Sequence, residues 1–261
     1  MTDGDDTTEA TGTLPGTETS VPGEPAAIAE SEEVKEYRQF RFQLPPGATD
    51  ILLVRHGESA PSRPHDPEPL IDGRHDPALD PQGRKEAEAV ADRLQGEQVA
   101  AIYVTSLRRT HETAAPLADR LAIEPVVEPR LSEVFLGDWE GAAFRKHFAE
   151  GHPIALQAIN EERWDAIPGA ESTADFQARI RAGLLDIAAA HVDRRVVVVT
   201  HGGVIGAIVA LATGARPWAF VGADNGSLSH LVITPDRWII RRFNDTGHLG
   251  TDLDHPIHPL T

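Results

Sequence analysis

Residues 51–58 read "ILLVRHGE" and residues 196–203 read "VVVVTHGG". Each opens on a short apolar run of the kind that forms a strand buried on both faces of a parallel sheet. Each closes on the same His-Gly pair, about 145 positions apart. In open α/β sheets, ligands sit beyond the carboxyl ends of the strands, so this reading brings His56 and His201 to one edge. Glycine behind each histidine allows close backbone approach and a sharp strand-to-helix turn. A single strand-end histidine would be ordinary. Two in the same context, with the cation of Arg55 beside the first, point to one shared anionic ligand faced by both.

The surrounding pattern alternates strand and helix. "YRQFRFQL" (37–44) places Phe40, Phe42 and Leu44 in alternation and predicts a half-exposed strand. After the proline-rich loop 59–80, "PQGRKEAEAVADRLQ" carries Ala87, Val90, Ala91 and Leu94 on one helical stripe. Strand "AAIYV" (100–104) precedes a helix over 106–121, and "EPVVEP" is a short strand candidate. Helices follow within 142–164 and over 172–190, then strand "RRVVVV" and the apolar helix "GVIGAIVALATG", closed by Gly214. "SLSHLVIT" and "RWIIRRFN" predict an antiparallel hairpin around "PD". The order implies an α/β domain, a three-layer sandwich with a mainly parallel central sheet, spanning 35–250.

Composition bounds the chemistry. The chain has 261 residues and no Cys, which excludes disulfides and thiolate catalysis. Residues 1–34 hold nine acids and no Lys or Arg, with few large apolar side chains. Such a segment cannot bury enough surface to offset its ordering entropy and reads as a disordered acidic tail; 251–261 reads as a second tail. The formal charge is −17, which argues against non-specific nucleic-acid binding. An anionic ligand must therefore be held by local arginines against the global field. The first residues lack the basic start and apolar core of a signal peptide, and no apolar run approaches the ~20 residues of a membrane span. A soluble, cytoplasmic protein without membrane partners is expected.

Candidate cations follow the third strand. In "TSLRRTHETA", Arg108 and Arg109 fall in a first helical turn, where free N–H groups and the helix dipole already favour an anion. Their planar forks suit phosphate, and one of the two is expected to be a solvated surface residue. Glu133 in "LSEVFLGDWEG" is a carboxyl group whose loop position proves nothing by itself.

Taken in order, "LVRHGES", "TSLRRTHETA", "LSEVFLGDWEG", "PGAES" and "VTHGGV" resemble the histidine phosphatase superfamily, also called phosphoglycerate mutase-like, over about residues 48–247. The resemblance implies that His56 is a nucleophile forming a phosphohistidine. It implies that Arg55, Arg109 and His201 form the phosphate pocket and that Glu133 is the proton donor. The family's arginine stands directly before "T-x-x-T-A", which selects Arg109 over Arg108. Family members often carry Asn six residues after the nucleophile; here Ser62 stands there and could donate one hydrogen bond. Thr105 replaces a common Ser and keeps its hydroxyl.

The chemistry is coherent on its own terms. A neutral imidazole can attack phosphorus in line and divide hydrolysis into two displacements. Arg55, Arg109 and His201, kept protonated because the bound dianion raises its pKa, would stabilise charge on the equatorial oxygens. Glu133 would protonate the leaving alkoxide and then activate water. No metal or other cofactor is called for. His65 and His75 could touch substrate but read rather as exposed loop histidines, "HPIH" (His255, His258) reads as tail composition, and Ser172 as a helix cap.

The leading expectation is a phosphatase acting on small phosphomonoesters. A phosphoglycerate-type mutase is the alternative, disfavoured by the short 141–167 segment. A non-catalytic phospho-ligand or protein-binding module is the alternative of another class, disfavoured because His56, Arg109, Glu133 and His201 are all present. The first and last strand candidates would offer a sheet edge for a homodimer.

Overall fold

The computed structural model describes residues 37–62 and 70–250. The chain divides into two units, Met1–Arg41 and Phe42–Thr261; the described residues of the first, 37–41, form no helix or strand. In the second, β1 (Thr49–Arg55) leads to a small hairpin of β2 (Leu70–Ile71) and β3 (Arg74–His75), then α1 (Pro81–Leu94), β4 (Val99–Val104), α2 (Arg108–Leu121) and β5 (Val126–Val127). Short helices α3 (Ala142–Ala149) and α4 (Pro153–Glu161) follow, then α5 (Thr173–Ala190), β6 (Arg195–Thr200), α6 (Gly202–Thr213), β7 (Leu228–Ile233) and β8 (Trp238–Asp245).

Six strands form one sheet in the order β5-β4-β6-β1-β7-β8. β5, β4, β6 and β1 run parallel, whereas β7 and β8 are antiparallel to their neighbours. The two apolar runs lie side by side, with Val54 opposite Val199 and Arg55 opposite Thr200. That register brings both His-Gly pairs out at one level of one edge.

Valine repeats suit this position because a β-branched side chain packs well on a pleated surface buried on both sides. Ile51, Leu53, Val196 and Val198 pack with α5 and α6 on one face. Val54, Val197, Val199, Ile102 and Val104 pack with α1 and α2 on the other. The expected sandwich of helices on both faces of a mainly parallel sheet is present. Helix ends follow local chemistry: the Asp80 side chain accepts from Gly83 N at 2.7 Å ahead of Pro81, and Ser172 Oγ accepts from Asp175 N at 3.0 Å. Gly214 closes α6 at φ +68°.

Two expectations change. No strand forms over residues 37–45; alternation fits an extended segment as well as a strand, and this one has no ladder partner. Phe42 instead lies beneath the Arg241 guanidinium, 4.0 Å from the ring centroid. The 59–80 segment is not wholly loop, since β2 and β3 turn through Asp72 (φ +50°) and Gly73 (φ +77°). Two consecutive left-handed residues are the signature of a type I′ turn, for which "DG" is a favoured pair.

Candidate active site

Three parallel strands deliver polar groups to the same edge: β1 gives Arg55 and His56, β4 gives Thr105, and β6 gives His201. His56 extends the ladder, its N–H donating to Thr200 O at 2.9 Å. Gly57 follows it so closely against Gly83, in the first turn of α1, that a Cβ would overlap the Gly83 carbonyl. Gly57 N donates to Thr113 Oγ1 at 3.0 Å, tying the loop to α2 as well.

The partners of His56 define its tautomer. Gly57 O can only accept, so the 2.8 Å contact puts the proton on Nδ1. Arg109 Nε can only donate, so its 3.1 Å contact with Nε2 places the lone pair there. Burial, and then the Arg109 and Arg55 cations, hold this imidazole well below its ordinary pKa. It is a neutral base with its lone pair turned to a guanidinium.

His201 is wholly buried, with its ring centroid 5.1 Å from that of His56. Thr105 Oγ1 contacts its Nε2 at 3.0 Å, so the hydroxyl that Thr shares with Ser is the part used. Its Nδ1 is buried without a hydrogen-bond partner. Burial, then Arg109, His56 and Arg55, depress its pKa strongly. The protonated form expected from sequence therefore requires an added negative charge, because the residues alone favour the neutral ring.

Arg109, on the first turn of α2, is buried and donates from Nη1 to His75 O at 2.9 Å. Burial lowers its pKa to about 10 against the opposing pull of Glu133, so it stays charged at neutral pH. Arg108 is the solvated member of the pair, 58% exposed and bridged to Glu112. Arg55 donates to Ala223 O and lines the cavity with His56 and Arg109.

Glu133 enters that cavity from the loop after β5. Its Oε1 accepts from Val134 N at 3.0 Å, and its Oε2 accepts from Gly203 N at 3.2 Å, in the first turn of α6. Ser62 lies on the cavity wall, as do Ser59 and Arg145, joined at 3.2 Å. Leu136, Phe144, Trp164 and Val221 form an apolar side. His75 corrects the expectation of an exposed loop histidine: β3 is folded back over the site, and His75 is half-buried and lines the cavity. His65, His255 and His258 lie outside the described residues, as do the expected tails.

Some contributors escaped the sequence reading. Asn225 Nδ2 donates to His56 O at 2.9 Å. Asn244 pairs with Asp224 at 2.6 and 2.7 Å, and His248 Nε2 contacts Gly226 O at 2.9 Å. Together they brace the 224–226 loop under the nucleophile. Among the described residues, no group of three or more His, Cys, Asp or Glu is gathered as a metal ion would need, and no helix is long and apolar enough to cross a membrane.

The model of the histidine phosphatase superfamily, branch 1, matches residues 51–246, from the first strand to the last. The chain belongs to that superfamily. Among histidine phosphatases, it is 34% identical over 231 residues to a metal-independent phosphoserine phosphatase of Arabidopsis thaliana, covering 84% of this chain and 93% of the relative. It is 32% identical over 225 residues to a glucosyl-3-phosphoglycerate phosphatase of Mycobacterium tuberculosis, covering 79% and 99%. The solved mycobacterial glucosyl-3-phosphoglycerate phosphatase in complex with VO3 superposes with a TM-score of 0.64 at 31% identity, over 76% of this chain and 99% of that one. A phosphoglycerate mutase of Bacillus anthracis, at 17% identity and a TM-score of 0.65, shares the histidine phosphatase fold.

Proposed function

We propose that the chain is a phosphomonoester hydrolase in which His56 carries the phosphoryl group between two displacements. The observation that carries this reading is the His56 tautomer: Nδ1–H is committed to Gly57 O, which leaves the Nε2 lone pair facing Arg109. In the first step, Nε2 attacks phosphorus and the P–O bond to the alcohol breaks. The leaving oxygen takes a proton from Glu133, giving ROH and a phosphohistidine. In the second, water attacks phosphorus, Glu133 takes its proton, and the N–P bond breaks to release phosphate and restore His56.

Arg55 and Arg109 supply positive charge to the three equatorial oxygens. The Nδ1–H to Gly57 O hydrogen bond steadies the positive ring of the phosphohistidine. A phosphoryl dianion beside His201 would offset the cations that depress its pKa, allowing it to take a proton and donate. We read the reaction as metal-independent, since buried guanidinium groups do the work of a cation. Small phosphomonoesters are the substrate class. Hydrolysis is favoured over mutase chemistry by the brevity of α3 and α4, eight and nine residues; the relatives include proteins named as phosphatases and proteins named as phosphoglycerate mutases.

The test is labelling with a 32P-phosphomonoester followed by acid quench. Wild type should show an acid-labile, base-stable phosphoenzyme and turnover that persists in EDTA. His56→Ala should lose both label and turnover. Label retained in that variant would remove His56 from the role, and activity lost to EDTA and restored by Mg²⁺ or Zn²⁺ would end the metal-free account.

A further inference from the structure

Two guanidinium groups from distant elements meet on one backbone atom, the carbonyl oxygen of Glu133. Arg74 Nε reaches it at 2.6 Å from the β2–β3 hairpin, and Arg179 Nη2 reaches it at 2.9 Å from α5. A carbonyl oxygen has two lone pairs, so this one is fully used. Arg179 also donates from Nη1 to Arg130 O at 2.6 Å and to Ser132 O at 2.7 Å. One side chain thus grips three carbonyls of an irregular segment that has no ladder to satisfy them.

Glu171 holds both cations. It accepts from Arg179 at 2.6 and 2.9 Å and lies 3.8 Å from Arg74. It also bonds Phe135 through its side chain at 3.3 Å and its own N–H at 2.9 Å. All three side chains are at most 18% exposed, and Arg179 lies over the Phe176 ring at 4.8 Å.

We propose that Arg179, with Arg74 and Glu171, forms a positioning clamp that fixes the backbone of Glu133 and thereby aims its carboxylate at the leaving oxygen. The inference rests on the acid role of Glu133 proposed above. An ordinary structural anchor would need only the carbonyls of Arg130 and Ser132. Convergence of a second donor on the Glu133 carbonyl, from a hairpin that also lines the cavity, singles out the residue whose side chain enters the site. With Oε2 held by Gly203 N, Glu133 is restrained at both ends. None of the three clamp residues needs to touch the reacting atoms.

The experiment compares kcat/KM on an alkyl phosphate, a poor leaving group that needs a proton, with p-nitrophenyl phosphate, which does not. Variants are Arg179→Met, Arg179→Lys and Glu171→Gln, each in wild-type and Glu133→Gln backgrounds, with thermal melts to confirm folding. Arg179→Met should lower the alkyl value by about 10–100-fold, part of the roughly 10²–10⁴ that a positioned acid supplies. It should leave the aryl value within about threefold and add little in the Glu133→Gln background. Arg179→Lys keeps the charge but not the fork, so it should show the same selective defect. If Arg179→Met does not fold, Glu171→Gln reads the clamp with a smaller effect of the same kind. Equal losses on both substrates, no loss, or losses that add fully to those of Glu133→Gln would overturn the clamp. If Glu133→Gln itself harms both substrates equally, the acid assignment fails, whatever the clamp variants do.

Discussion

A methyl group added at Gly203 would sit 2.5 Å from Glu133 Oε1, whereas one added at Gly83 would overlap the backbone carbonyl of Glu58. The obstacles differ in kind. A carboxylate at the end of a flexible side chain can swing aside at little cost, but a backbone cannot. Gly203→Ala is therefore expected to keep its melting temperature within a few degrees while displacing Glu133. Its kcat/KM on alkyl phosphates should fall about tenfold or more, a fraction of a general acid's worth, with aryl phosphates affected less. Paired melting and leaving-group assays decide this, and a stability loss with unchanged selectivity would refute it. At this scale, legibility depended on how each residue acts. His56, His201, Arg55 and Arg109 act through side chains at strand and helix ends, so residue type and position exposed them. Arg179, Arg74 and Asn225 act by donating to carbonyls far away in sequence, and no local pattern marks an arginine that will do so.

Elements were legible where periodicity was strong. The apolar runs of β1 and β6 and the stripe of α1 are long enough that burial dictates one structure. The weak ones were the 37–44 alternation, which no neighbouring strand takes up, and β2–β3, whose two-residue strands are too short for any pattern. There the turn carried the signal, and "DG" was available to be read. Gly73 tests that element: it sits at φ +77°, and an added Cβ would lie 3.1 Å from the Phe135 ring. Gly73→Ala should cost about 1 kcal/mol for the left-handed backbone and loosen the hairpin against its neighbours. Hydrogen exchange should show faster exchange confined to residues near 70–75, and kcat/KM should drop because Arg74 and His75 ride on β3. Unchanged exchange there would mean that tertiary contacts, not the turn, hold the hairpin.

Over the whole molecule, a chain of net charge −17 keeps a positive site by burying its arginines, and the buried imidazoles beside them make stability depend on pH. His56 and His201 are held well below 6.5, chiefly by burial and then by the neighbouring cations. Above pH 6.5 neither folded nor unfolded imidazoles bind a proton, and the full stability is present. Below it the unfolded chain takes up protons that the folded one refuses, so stability is lost as pH falls toward the folded pKa, by up to about 1.4 kcal/mol per pH unit for each ring. Asp50 acts in a lower window. Burial raises its pKa, but hydrogen bonds and charges from His230 and Arg195 outweigh this and hold it below 3.8, so its contribution is lost only under that pH. His191 and His248 shift in the same direction as the site histidines, and a variant must therefore isolate the site. Urea unfolding of wild type and His201→Gln between pH 7.5 and 5.5 does so: wild type should lose about 1 kcal/mol more than the variant over that interval. Parallel curves would mean that His201 takes up its proton over the same pH range folded as unfolded, and the neutral, cation-flanked imidazole that awaits a dianion would have to be given up.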